Sequence, residues 1–334
     1  MEIKKVGVPY QKVGMKNKRL SIFSVLLSYI NMFQILNFDD WSVYDGYAEG
    51  SGRSKKTWLT NNKTGQIGLF KYPKIHSDNK TLTTEYISEH LAHQIGKLIG
   101  VDTAVVDIGY YHNELGCMSY DIISDHEYSF IIEGDVFLSN KYPLYDKELF
   151  CNQEDNKCYN INQIIESAPI TDCLPIYKML VFDFLIGNSD RHHNNYAFIK
   201  NETTDKYTFC PLYDNGSSLC CRITDYEALK YIGKDKLKLK SLTDTKSKSF
   251  ISIDGSKVRS NTHAQMVQYI FSQNEKVSAF ANDAIRLLNA NSISNILSQY
   301  PSSVMTENKR NLICIYLKEK VRMLSDILEG KYER

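Results

Sequence analysis

The sequence predicts an α+β protein of two lobes, a small β-rich one followed by a larger helical one. Three observations lead there. Up to about Ile123 the apolar residues fall in short β-branched runs broken by turn residues. Beyond residue 124 they recur mainly at three and four, the helical spacing. The 334 residues exceed one minimal domain and suit two lobes.

The first lobe is expected over residues 35–120. Ile35 to Phe38, Thr57 to Thr60 and Gln66 to Tyr72 read as strands, with Asn61-Asn62-Lys63-Thr64-Gly65 as a hairpin loop. Alternation puts Leu69, Lys71 and Pro73 on one face. From Thr83 to Ile99 the pattern turns helical, through Ile87, Leu91, Ile95 and Leu98, and Gly100 stops it. Val101 to Tyr111 and Met118 to Ile123 then read as two more strands. The second lobe, over 121–334, carries expected helices at Tyr159–Ser167, Leu174–Ile186, Thr262–Phe271, Glu275–Asn289 and Glu307–Leu328.

Residues 1–34 form a basic and amphipathic extension. Within and just beyond it, Leu20 to Phe38 is an uncharged stretch of 19 residues that follows Lys12, Lys16, Lys18 and Arg19. Ser21, Ser24, Ser28, Asn31, Gln34 and Asn37 draw a polar stripe along it, which argues for an amphipathic helix over a membrane span. The stretch leaves export or membrane association open. The eight cysteines show no paired C-x-x-C ligands and no secreted framework, so they read as reduced thiols of a cytoplasmic protein. Cys151 and Cys158 lie in a polar loop and lack two further ligands for a metal. With 40 Lys and Arg against 39 Asp and Glu, no whole-molecule field would hold a polyanion, and no specific nucleic acid is expected.

The chemistry is densest in Gly187-Asn188-Ser189-Asp190-Arg191-His192-His193-Asn194-Asn195 and in Pro211-Leu212-Tyr213-Asp214-Asn215-Gly216-Ser217-Ser218-Leu219. Asp190 and Asn195 can present a carboxylate to a substrate hydroxyl and an amide oxygen to a divalent cation, and Asp214 can add a second ligand. Phosphoryl transfer needs such a set of hard oxygen donors. Strand-like Ala197–Ile199 and Tyr207–Leu212 flank the cluster, which puts both acids at the ends of a β-hairpin where they can converge. Upstream, Gly46, Gly50, Ser51, Gly52, Arg53, Ser54, Lys55 and Lys56 form a flexible basic loop suited to phosphates, although it is not a Walker A motif. Lys71, on an inward strand face, wants an anion; Glu85 is the expected partner and Glu89, one turn on, the competitor.

These runs resemble the HipA-like kinases, in the short, single-kinase-domain form. The resemblance rests on the G-N-x-D-R-H-x-x-N run at 187–195 and the P-L-x-D-x-G-S-S-L run at 211–219. It extends to Gly52-Arg53-Ser54-Lys55-Lys56-Thr57-Trp58-Leu59, Leu69-Phe70-Lys71-Tyr72-Pro73, Glu85-Tyr86 and Gly116-Cys117-Met118-Ser119-Tyr120. It implies a bilobal protein-kinase-like fold that binds ATP and Mg²⁺ between its lobes. By the same resemblance Asp190 is the catalytic base and His192 braces the catalytic loop, while Asn195 and Asp214 are the Mg²⁺ ligands. Lys71 contacts the α- and β-phosphates with Glu85 fixing it. Residues 50–56, with Gly50, Ser51, Gly52, Arg53, Ser54 and Lys56, cover the phosphates, and Met118, Ser119 and Tyr120 are the hinge that binds adenine. The chain departs from the family where Lys55 replaces a common Glu.

The resemblance implies a serine/threonine protein kinase, a toxin or effector, whose acceptors are protein substrates and itself by autophosphorylation. Phosphoinositide-type lipids and a nucleotide-binding pseudokinase scaffold are the alternatives. Between Arg222 and Arg259, ten Lys or Arg stand against five Asp or Glu, interleaved with Ser241, Thr243, Thr245, Ser247 and Ser249. That segment is expected to dock an acidic partner or to be autophosphorylated.

Overall fold

The computed structural model describes residues 33–46, 55–76, 81–123, 129–233 and 235–333. The expected helix over Leu20–Phe38 lies outside the described residues except at its end, and that end is a strand. β1 (Leu36–Asn37) joins β2 (Ser42–Val43), β3 (Lys56–Thr60), β4 (Ile67–Lys71), β5 (Val106–Tyr111) and β6 (Glu114–Tyr120) in one sheet, ordered β1-β5-β6-β4-β3-β2. Only β1 and β5 run parallel; the other neighbours are antiparallel. The β3–β4 turn is closed by the Asn61 carboxamide, which accepts from the Lys63 and Thr64 amides, and by Gly65 at φ +73°.

The two faces of this sheet differ in kind. Leu59, Phe70, Met118 and Tyr111 fall on one face by alternation and pack with Phe38, Trp41 and Tyr72 into a buried, mostly aromatic cluster. Phe70 sits at its centre, with ring centroids 4.9 Å from Tyr72, 5.6 Å from Tyr111 and 5.9 Å from Phe38. Lys56, Lys71 and Cys117 share the opposite face, because Lys71 pairs directly with both of the others. α1 (Glu85–Ile99) follows, burying Ile87, Leu91, Ile95 and Ile99, and ends at Gly100 in the left-handed conformation (φ +75°).

The expected strand at Val101 begins only at Val106. Asp102 and Ala104 instead exchange backbone hydrogen bonds with Leu212, 2.9 Å each, so this segment ties the first lobe to the second.

The rest of the described chain is mainly helical. β7 (Ser129–Glu133) leads into α2 (Gly134–Lys141), then a small sheet of β8 (Tyr145–Asp146), β9 (Cys151–Asn152) and β10 (Lys157–Cys158). α3 (Ile161–Ser167) and α4 (Leu174–Ile186) precede β11 (Ala197–Asn201) and β12 (Lys206–Phe209), which pair antiparallel, with β7 on the far side of β11. α5 (Asp225–Ile232) and α6 (Lys236–Lys240) run into a π-helical turn at Ser241–Thr245. α7 (His263–Phe271), α8 (Glu275–Leu287), α9 (Ala290–Ser298) and α10 (Glu307–Leu328) complete the lobe. α4 is apolar nearly all round and is the central helix of the lobe, with every residue from Met179 to Ile186 buried. α5 and α9 lay outside the sequence reading because each is only two to three turns long, with polar residues interrupting its apolar pattern. No helix among the described residues is long and apolar enough to cross a membrane.

Phe70→Ala removes the hub of the aromatic cluster behind Lys71. It is expected to cost about 3–5 kcal/mol in urea unfolding, with the loss confined to stability if α1 still holds the other face of the sheet.

Candidate active site

The loop that follows α4 is built on a buried polar chain. Gly187 caps the helix at φ +68°, where a Cβ would lie 2.0 Å from the Tyr316 hydroxyl, so glycine is required. Asn188, fully buried, donates to Asp183 Oδ1 (3.2 Å) and accepts from the Asp190 amide (3.1 Å). Its carbonyl can only accept, so His263 Nε2 donates to it at 2.8 Å. His263 Nδ1 must then accept from Ser247 Oγ (3.0 Å), and Ser247 Oγ accepts from Lys320 Nζ (2.9 Å). Burial keeps this chain neutral at His263, whose pKa is pushed down to about 3, and lowers Lys320 to about 7.

Arg191 joins the two acidic loops. It is wholly buried; Nε and Nη2 hold the two Asp183 oxygens at 3.0 and 2.8 Å. Nη1 donates to the Asn195 carbonyl (2.7 Å) and the Tyr213 carbonyl (3.0 Å), and Nη2 also reaches Asn215 Oδ1 (2.7 Å). One guanidinium therefore fixes the end of the 187–195 loop and both neighbours of Asp214. Arg191 thus ties together the two loops that flank the hairpin β11–β12.

Asp190 sits half-exposed at the mouth of its loop. Its carbonyl accepts from Asn195 Nδ2 at 2.7 Å, and among the described residues no hydrogen bond engages the Asn195 amide oxygen. Asp190 Oδ1 accepts from Arg259 Nη2 at 3.0 Å, and Arg259 Nε reaches the Ser189 carbonyl at 3.3 Å. Arg259 is held there from 69 residues away by stacking on Phe250 (4.3 Å) and a left-handed backbone at φ +57°. His192 is kept neutral by burial against the opposing pull of Asp190 and Asp214, and its Nδ1 accepts from the Asn194 amide (3.2 Å). That geometry is a brace. Asn194 in turn donates to Glu133 Oε2 at 2.5 Å, so β7 supports the loop from outside.

The first lobe contributes a three-membered charge cluster. Lys71 Nζ lies 2.5 Å from Glu89 Oε1 and 2.9 Å from Asp214 Oδ1. Glu89 Oε2 accepts from the Asn215 amide at 2.9 Å, which locks the Asp214 turn to α1. The expected Lys71–Glu85 pair is replaced by Lys71–Glu89. Glu85 lies in the first turn of α1 and bonds Lys74 at 3.0 Å; one turn on, Glu89 is buried beneath the sheet where Lys71 points. Burial would depress the Lys71 pKa, but Asp214 and Glu89 more than reverse it, so the amine stays charged. Lys71 holds Asp214 well below the usual carboxylate range, against burial. Asp214 carries φ +53°, a strained conformation for a residue with a side chain, of the kind kept at functional turns. Lys56, beside Lys71 across the strand pair, has its pKa lowered by burial despite the attraction of Asp214.

Met118, Ser119 and Tyr120 do not form a free hinge. They lie inside β6, with β4 paired on one edge and β5 on the other, so their backbone groups are committed to the sheet. The strand ends as the Tyr120 amide bonds the Val105 carbonyl (3.0 Å) and the Asp121 amide the Ile67 carbonyl (2.9 Å). Gly50, Ser51, Gly52, Arg53 and Ser54 lie outside the described residues. Among the functional positions, Arg191 stood in the motif without an assigned role. Arg259 and Glu133 left no signal, because distant segments deliver them.

The donor set fits Mg²⁺ with ATP. One carboxylate and one amide oxygen are hard ligands that leave most positions of an octahedral ion to phosphate oxygens and water. No cluster of three or more His, Cys, Asp or Glu among the described residues offers an alternative metal site.

Two outcomes follow from the buried polar network. Arg191→Met leaves the Asp183 charge buried and unpaired and should cost about 3–5 kcal/mol; adding Asp183→Leu should restore much of it, measured by chemical unfolding. His193 (pKa about 4) and His263 (about 3) are depressed by burial, so below pH 6.5 the unfolded chain takes up protons that the native one refuses. Stability should fall as pH drops from 6.5 towards 4, by about 1.4 kcal/mol per pH unit for each histidine. A His263→Gln variant should show a shallower acid limb.

Comparison with known proteins agrees with this architecture. The model of the HipA-like C-terminal domain matches residues 48–282. The serine/threonine-protein kinase CtkA of Helicobacter pylori (strain J99) is 25% identical over 193 residues, 55% of this chain and 55% of that protein. The chain thus aligns with little more than half the length of that curated relative. The crystal structure of the Helicobacter pylori proinflammatory kinase CtkA superposes with a TM-score of 0.72 at 18% identity, covering 89% of this chain and 98% of that one. HipA from a Shewanella oneidensis HipA, HipB and operator DNA complex gives 0.53 at 14% identity, over 93% of this chain and 73% of the other. The fold is therefore the α+β, bilobal, HipA-like kinase fold, and the chain belongs to the HipA-like C-terminal domain family.

Proposed function

We propose that this chain is an ATP- and Mg²⁺-dependent protein kinase that transfers the γ-phosphoryl group to serine or threonine hydroxyls, its own included. The observation that carries the reading is the Lys71–Glu89–Asp214 cluster, joined through Arg191 to the loop that holds Asp190 and Asn195. In this reading Lys71 binds the α- and β-phosphates, with Glu89 orienting it and Lys56 adding a second positive charge. Asn195 and Asp214 hold Mg²⁺, which when bound neutralises charge on the phosphates. Asp190 aligns the acceptor hydroxyl and takes its proton, and Arg259 keeps that carboxylate aimed. His192 positions the loop without reacting. Adenine is read at the end of β6.

The acceptor side is basic. A cleft of about 170 Å³ is bordered by Ser189, the residue before Asp190, and by Ser217, Arg222, Lys246 and Lys248. None of its three cations has a salt bridge among the described residues, which suits an acidic acceptor segment. Burial also narrows the autophosphorylation candidates between Arg222 and Arg259. Thr243, Ser247 and Ser249 are buried, and Thr245 is exposed at the end of the π-helical turn.

The deciding experiment is incubation with γ-labelled Mg-ATP, with and without acidic and basic peptide acceptors. Wild type should label protein as phosphoserine or phosphothreonine and prefer the acidic peptide. Asp190→Ala should lose at least about 10³-fold in turnover while ATP still raises its Tm, since positioning and proton transfer are lost but binding is not. Asp214→Ala should lose both. Glu89→Gln should impair turnover far more than Glu85→Gln, which reverses the order expected from the sequence. ATP-induced stabilisation without label on any acceptor would make the chain a nucleotide-binding scaffold instead. Phosphopeptide mapping should find Thr245; phosphate only at sites outside 222–259 would remove that segment from the proposal.

A further inference from the structure

The hairpin of β9 and β10 carries a cysteine pair that the phosphoryl-transfer machinery does not use. Cys151 and Cys158 are register partners on antiparallel strands, so their side chains leave the same face. They occupy a non-hydrogen-bonded position. The Cys158 amide donates away from β9, to the Gly255 carbonyl at 2.7 Å, whereas the next residue, Tyr159, donates back to the Phe150 carbonyl at 2.7 Å. At such positions paired Cα atoms come to about 4.5 Å, inside the range of about 4.4–6.8 Å that a disulfide spans. Both cysteines are half-buried free thiols, accessible to a small reagent.

The turn between them is rigid. Asn156 sits at φ +55°, Asn152 Nδ2 donates to Asp155 Oδ1 at 2.9 Å, and the Lys157 amide donates to the same oxygen at 3.1 Å. Among the described residues no third or fourth ligand converges on the pair, so a metal does not explain it.

We propose that Cys151 and Cys158 are a thiol–disulfide site that closes reversibly across the hairpin. The oxidant is a low-molecular-weight disulfide such as oxidised glutathione. One cysteine thiolate attacks a glutathione sulfur, forming a mixed disulfide and releasing one glutathione thiolate. The second cysteine thiolate then attacks the protein sulfur of that mixed disulfide, forming the Cys151–Cys158 bond and expelling the second glutathione. Two protein thiols are oxidised, their two protons go to the released glutathione thiolates or to water, and one glutathione disulfide is reduced to two thiols. Burial and the neighbouring Cys158 sulfur raise the Cys151 pKa, so closure speeds up with rising pH.

The site is wired to the catalytic loop. Phe150, next to Cys151, packs its ring 4.8 Å from His193 and 5.0 Å from Phe250, the residue on which Arg259 stacks. The bond that closes β9 on β10 therefore fixes the ring that supports both His193 and the Arg259 shelf.

The test equilibrates the full chain in a series of oxidised and reduced glutathione buffers, traps free thiols with N-ethylmaleimide and maps peptides without reduction. The expected result is a 151–158 linked peptide, with the other six cysteines alkylated. Closure of this short loop should raise Tm by about 2–4 °C. Cys158→Ser should instead hold one glutathione at Cys151 and show no such rise. Full alkylation of Cys151 and Cys158 in the most oxidising buffer, on protein that still melts cooperatively, would overturn the proposal, as would linkage of either to another cysteine. Thiol mapping does not depend on turnover, so this result stands or falls separately from the phosphoryl-transfer reading.

Discussion

The buried Arg191–Asp183 pair is the constraint on which the site depends. Asp183 belongs to the central helix of the second lobe, and Arg191 carries that anchor outward to the carbonyls of Asn195 and Tyr213 and to Asn215. A charge this deep is tolerable only because five hydrogen bonds saturate the guanidinium. Each of those bonds also sets the position of a loop that would otherwise be free to drift. Lysine could not do the same, having no planar fork to engage a carboxylate and two loops at once.

A second constraint meets the first at Asp214. Glu89, buried on α1, binds Lys71 with one oxygen and the Asn215 amide with the other. The strained Asp214 turn is thereby held from the sheet side by Glu89 and from the helical side by Arg191. Two independent anchors explain how a left-handed conformation persists at a residue with a side chain. They also place one lysine between two carboxylates, an arrangement short of positive charge and ready for a cation.

The same logic of support from behind runs through the second lobe. Lys320, Ser247 and His263 pass a single directional chain of hydrogen bonds to the Asn188 carbonyl, and Phe150 and Phe250 brace His193 and Arg259. The residues that would touch substrate are few, and most of the polar burial in this lobe serves to aim them. Cys151 and Cys158 sit at the outer end of that bracing, where a covalent change would be felt by packing alone.

By itself the sequence determined the order of the lobes, most strands and long helices, and the two compact runs that hold Asp190, Asn195 and Asp214. Those are local properties, carried by periodicity, turn residues and the composition of two compact runs. Only the tertiary structure decided which glutamate meets Lys71, because Glu85 and Glu89 are one helical turn apart and their difference is burial under the sheet. It likewise paired Met118–Tyr120 between β4 and β5, since a strand's free edge depends on neighbours that come from elsewhere in the chain. Arg259 and Glu133 were invisible for the same reason. Their roles are set by segments brought together from a distance, and one-dimensional spacing holds no record of that.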